Sequence, residues 1–145
     1  MASALLLLLA SVQFAMAAWY YEKENVVVAE GTVHPGGFTS TVVTFDLNAG
    51  EEAVKNATVH AIIPERSNVT FYFSKVVNGS ALENYNATVI LGSQVVGTIT
   101  PSQNISVILE QGEYDITFEI HLKAAVSVEN ETTFEIWIGV RAEAA

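Results

Sequence analysis

The chain has 145 residues, with 16 acids against six bases, a formal net charge of −10, an apolar half and no cysteine. A surface of that sign repels nucleic acid and anionic lipid, and the missing thiols exclude disulfides, thiolate metal sites and cysteine nucleophiles. The length suits one domain with one core, held by packing and backbone pairing alone.

Residues 4–16 are almost wholly apolar, with five consecutive leucines from Leu5 to Leu9, and close on Ala15-Met16-Ala17, the small-x-small pattern read by signal peptidase. The run is shorter than the roughly 20 apolar residues that span a bilayer core. The expectation is a signal peptide over 1–17, a mature start at Ala18, an extended N-terminal segment over 18–33 and a folded domain over 34–145, secreted and with no membrane attachment once the leader is removed. The competing reading keeps the apolar run as the packing helix of a type IV pilin. Pilin leaders are generally cut before that run at a short basic, glycine-containing signal, and Met1-Ala2-Ser3 is not of that kind.

Beyond the leader the periodicity is that of strands. Residues 26–33 form a β-branched run broken by Gly31, and His34-Pro35-Gly36-Gly37 is a turn cluster. Over 39–47, Val43, Phe45 and Leu47 alternate with Thr44 and Asp46, which predicts a half-buried strand. Asn48-Ala49-Gly50 marks a turn, 53–63 a strand ended by Pro64, and the aromatic and branched stretch 69–77 another strand. Residues 78–86 are polar enough to predict the longest loop, with a short helical turn at 81–85. Further strands are expected over 87–91, 94–100 and 104–110. After Gln111-Gly112, Tyr114, Ile116, Phe118, Ile120, Leu122 and Ala124 form one face, and Asp115, Thr117, Glu119, His121 and Lys123 the other. Phe134, Ile136, Ile138 and Val140 repeat that pattern. Eight or nine short strands at this spacing predict an all-β fold, a single antiparallel β-sandwich of jelly-roll or immunoglobulin-like type.

The most specific local signal is the N-x-[ST] sequon, present at Asn56, Asn68, Asn78, Asn86, Asn104 and Asn130. With nine asparagines and 22 serines and threonines in the chain, chance supplies roughly one or two. Co-occurrence of these residue types in turns accounts for part of the excess. The remainder points to a secreted surface carrying many N-linked glycans, which would solubilise and shield it.

Signs of catalysis are sparse. His34, His60 and His121 show no metal-ligand spacing, and neither Asp46 nor Asp115 lies in a calcium-loop pattern. Glu110, Glu113 and Asp115 surround a turn where a hard cation or plain solvation are both open. No G-x-S-x-G elbow or glycine-rich phosphate loop occurs. The expectation is a protein that is not an enzyme and uses no cofactor or metal. Trp137 falls on an outward row, as a ligand platform or as a contact to another sheet or subunit.

One stretch demands a partner. Trp19, Tyr20, Tyr21, Val26, Val27 and Val28 form an aromatic and branched ribbon ahead of the first turn, an apolar edge that soluble monomers avoid exposing. It either pairs as the first strand of its own sandwich or leaves to complete the sheet of a neighbouring copy, a head-to-tail contact that builds a filament.

The leader, the extended ribbon passing into Ala29-Glu30-Gly31-Thr32-Val33 and the cysteine-free sandwich ending in an aromatic-rich antiparallel pair resemble the TasA/camelysin-type biofilm fibre proteins. The similarity is greatest to their archaeal relatives, the subunits of bundling pili and glycosylated surface threads. That resemblance implies a cell-surface filament, a homopolymer joined by donor-strand complementation, with residues 19–28 as donor and N-linked glycans on its surface. A monomeric cell-surface module binding carbohydrate or metal is the rival from another class.

Overall fold

The alternating stretch that begins after Gln111 becomes the centre of the larger of two sheets. The computed structural model describes residues 19–24, 26, 37–128 and 130–145; the expected leader and mature start at Ala18, the donor residues Val27 and Val28, the stretch 29–33 and the turn expected at 34–36 lie outside them. Nine strands are described: β1 (Tyr20–Lys23), β2 (Gly37–Phe38), β3 (Glu52–Ile63), β4 (Ser67–Val77), β5 (Leu82–Leu91), β6 (Gln94–Ile99), β7 (Ile105–Leu109), β8 (Gly112–Ala124) and β9 (Glu135–Ala144). They form two antiparallel sheets, β1-β9-β4-β7 and β2-β3-β8-β5-β6, packed as a sandwich.

β8 is flanked along its length by β3, from Glu52 opposite Lys123 to Ile63 opposite Gly112, and by β5, from Leu82 opposite Ala124 to Leu91 opposite Ile116. Its inward row, Ile116, Phe118, Ile120, Leu122 and Ala124, is buried, while the outward row meets water. In the other sheet β4 lies between β9 and β7, with a bulge between Phe73 and Lys75. Phe71 of β4 meets Phe118 of β8 edge to face at 5.5 Å, and Phe38 packs on Phe71 in the same way at 6.4 Å. Each such ring, wholly withdrawn from water, contributes about 1.5–3 kcal/mol.

The two long sides of the sandwich close differently. On one, β6 comes close to β7 because Gly97 has no side chain: a Cβ there would stand 2.7 Å from Ile105 Cδ1. On the other, the Tyr21 ring stacks on Phe38 at 5.8 Å, joining β1 to β2.

Two expected elements differ. Residues 39–48 have the expected alternation, with Val43, Phe45 and Leu47 packed against the core and Val42, Thr44 and Asp46 exposed, but they enter no ladder. The segment peels away from β3 after Thr39, whose amide donates to the His60 carbonyl at 2.8 Å, because its apolar side chains turn into the gap between the sheets. The polar stretch 78–86 is mostly strand. Only Gly79–Ala81 forms a single 3-10 turn, entered through Asn78 in the left-handed conformation, and β5 starts at Leu82. Asn84 and Asn86 belong to a sheet whose outer face is polar.

Candidate functional site

The ribbon and the ground beside it make the most distinctive feature of the molecule. β1 lies antiparallel on the outer edge of β9, from Tyr20 opposite Glu143 to Lys23 opposite Val140, and the Trp19 carbonyl accepts from the Ala144 amide at 3.1 Å. In the isolated chain, therefore, the described part of the ribbon pairs within its own sheet. Trp19, Tyr21 and Phe38 form a stacked column, while Glu22 Oε2 lies 3.8 Å from Arg141 Nη1 and Lys23 Nζ donates to Ser40 Oγ. Burial pushes the Tyr21 phenol above its ordinary pKa, opposed by a backbone hydrogen bond with Phe38. Tyr72 is pushed up mainly by burial, then by Glu22, with Arg141 opposing; its ring lies on Gly139, where a Cβ would come within 2.9 Å.

Val26 is the pivot. It is wholly buried; its amide donates to the Ile138 carbonyl at 3.1 Å and its carbonyl accepts from the Thr41 amide at 2.9 Å. One residue thus bridges β9 to Thr41, at the start of the segment that enters no ladder. Past this bridge the two walls continue apart. Among the described residues, no backbone group pairs with residues 135–137 of β9 on this side or enters a ladder with residues 42–48. Between the walls lies a cavity of about 730 Å3, floored by Leu82, Ile120 and Leu122 and walled by Val43, Phe45, Leu47, Phe134 and Ile136. The Thr44 carbonyl accepts from Lys55 Nζ and the Asn48 carbonyl from the Glu51 amide, so the β9 wall is the one that suits an extended peptide, whose ladder hydrogen bonds and alternate side chains would be satisfied together over the apolar floor. The sequence contains both walls as the rows of alternating residues at 43–47 and 134–140. That they face each other is a matter of strand order, which the sequence does not display.

The six sequons separate by context. Asn56 of β3 lies opposite Glu119, and Asn86 of β5 opposite His121, on the outer face of the larger sheet; Asn68 is in β4, and Asn104 precedes β7. Their hydroxyl partners are tied across strands: Thr58 to Thr117 at 2.9 Å, Thr88 to Thr98 at 3.3 Å, and Thr70 to Ser106 at 2.8 Å, the last pair serving Asn68 and Asn104 together. Asn78 and Asn130 lie outside the strands. Asn78 Nδ2 donates to the Thr133 carbonyl at 2.9 Å, and Asn130 lies on the wall of the cavity.

The acidic turn is spread over separate ion pairs. Arg66 Nε lies 3.3 Å from Glu110 Oε1, and His60 Nδ1 lies 3.1 Å from Asp115 Oδ1, with Glu113 3.9 Å from its other nitrogen. Among the described residues, no three histidine or acidic side chains converge as metal ligands. His121 pairs with Glu119 at 2.6 Å on the outer face. Trp137 is half-buried and lines the cavity, with the Lys75 ammonium over one face of its ring at 4.6 Å. No protein-family model, curated protein or solved structure matches this chain.

Proposed function

We propose that the protein is a structural, noncatalytic subunit of a secreted, N-glycosylated extracellular filament, in which residues 19–28 of one copy dock on the next. The observation that supports this reading is the two-walled lane beyond Val26: a length of β9 and the segment 42–48, neither of which pairs on this side with any described residue, on either side of an apolar floor. A neighbour's ribbon in the β1 register would keep the Val26 bridge and extend it. Val26 faces the core, so the alternation of an extended strand puts Val28 on the cleft floor and Val27 on the outside. Each subunit would give its ribbon to one neighbour and receive a ribbon from another, so the contact is head to tail and the assembly grows as a thread.

A monomeric surface module is the second reading, and it is favoured by the pairing of Tyr20–Lys23 with the chain's own β9. The readings part in gel filtration and electron microscopy of the secreted chain. Fibres that disappear when 19–28 are deleted support the filament; a discrete monomer at high concentration rejects it. Within the filament reading, Val28→Asp abolishes fibres and Val27→Asp does not, with circular dichroism confirming that both variants fold. Equal behaviour of the two variants would reject the register.

A further inference from the structure

The loop between β8 and β9 sets the mouth of the cleft. Residues 130–133 line the cavity together with Val42, Val43 and Val128, and the Val42 and Val128 side chains are exposed. One of the six sequons, Asn130-Glu131-Thr132, is therefore on the edge of the lane itself. We propose that Asn130 is a modification site that controls access to the lane: an oligosaccharide joined there keeps a second copy's ribbon out, and the unmodified asparagine admits it. This rests on the filament reading above.

Three observations single out Asn130. First, it is reachable on the folded domain. A transferase that reads both the asparagine amide and the hydroxyl two residues on must draw the tripeptide into its own site. At Asn56, Asn68, Asn86 and Asn104 that hydroxyl is held across to a neighbouring strand. At Asn130 the chain is outside the strands, the residue is exposed, and Thr132 Oγ1 donates to the carbonyl of Asn130 itself at 3.0 Å, a local contact that no neighbouring element must release. Second, its side-chain amide makes no hydrogen bond among the described residues, whereas the nitrogen of the other loop sequon, Asn78, already donates to Thr133. Third, the rim beneath it is apolar. A tethered, hydrated glycan would cover Val42 and Val128 in the unassembled subunit, where exposed apolar surface invites promiscuous association.

The chemistry is a plain transfer. Asn130 Nδ2 takes the anomeric carbon of a polyprenyl-phosphate-linked oligosaccharide, the anomeric C–O bond breaks, the lipid phosphate departs, and the amide gives up one proton. The product is bulky, flexible and fixed within a side chain's length of the lane. It competes with an incoming strand at a high effective concentration.

The absence of cysteine makes the idea testable at a single site. Asn130→Cys and, as control, Asn56→Cys are each coupled to a thiol-reactive malto-oligosaccharide, and fibre growth of the full secreted chain is followed by light scattering and sedimentation. Capture of a labelled peptide of residues 19–33 is measured in parallel. The adduct at 130 is expected to slow growth and weaken peptide capture at least about tenfold, while the adduct at 56 leaves both within about twofold. Asn130→Gln, which removes the sequon without adding bulk, should grow like the unmodified chain. Equal growth of the two adducts overturns the role of Asn130 and leaves the filament standing. Failure of the unmodified chain to grow or to capture the peptide overturns both.

Discussion

Phe71 and Phe118 show how much of the stability rests on single side chains. Both are buried at the contact between the sheets, and with no disulfide to restrain the unfolded chain, little else compensates for a cavity there. Phe71→Ala is expected to cost about 3–5 kcal/mol in denaturant unfolding. At the ribbon seat, Tyr21 and Tyr72 link stability to pH. Burial holds both phenols above the ordinary value of 10.0, so the folded chain keeps these protons more tightly than the unfolded chain does. Their contribution is fully present below pH 10 and is lost as the pH rises beyond it. Thermal unfolding scans should show a decline above pH 10 that is smaller in Tyr72→Phe; an unchanged decline in that variant would remove Tyr72 from the account.

At the level of elements, legibility tracked what periodicity measures. The row from Ile116 to Leu122 was readable because alternation reports burial of one face, and β8 is buried on one face along its length. The same signal at 43–47 suggested a paired strand, yet those residues bury a face without joining a ladder, and sequence alternation does not tell the two apart. The start of β5 was hidden for the opposite reason: Glu83, Asn84 and Asn86 belong to a solvent-facing sheet surface, where polar residues resemble a loop. The cleft was not legible at all, because an open edge depends on which strand is outermost. Val26→Pro tests this edge directly. It removes the amide that donates to Ile138 and should cost the ribbon about 1–3 kcal/mol. Hydrogen exchange should then quicken in residues 140–143, with β3 and β8 unaffected; protection unchanged at 140–143 would show that Val26 does not hold the ribbon.

Over the whole molecule, charge would oppose the proposed assembly. With a formal charge of −10, two copies repel each other, and in the filament reading apolar burial and backbone pairing at the lane would have to draw them together. Salt shortens the reach of that repulsion from about 30 Å at 0.01 M to about 8 Å at 0.15 M. Fibre growth is therefore expected to accelerate across this range, and growth that slows with added salt would point to an ionic joint. The direction of β1 on β9 has a mechanical meaning as well. Its hydrogen bonds lie across the strands, so tension applied along the ribbon shears all of them at once, where a sideways pull would unzip them singly. A thread of such joints would be strong lengthwise and easily peeled from the side.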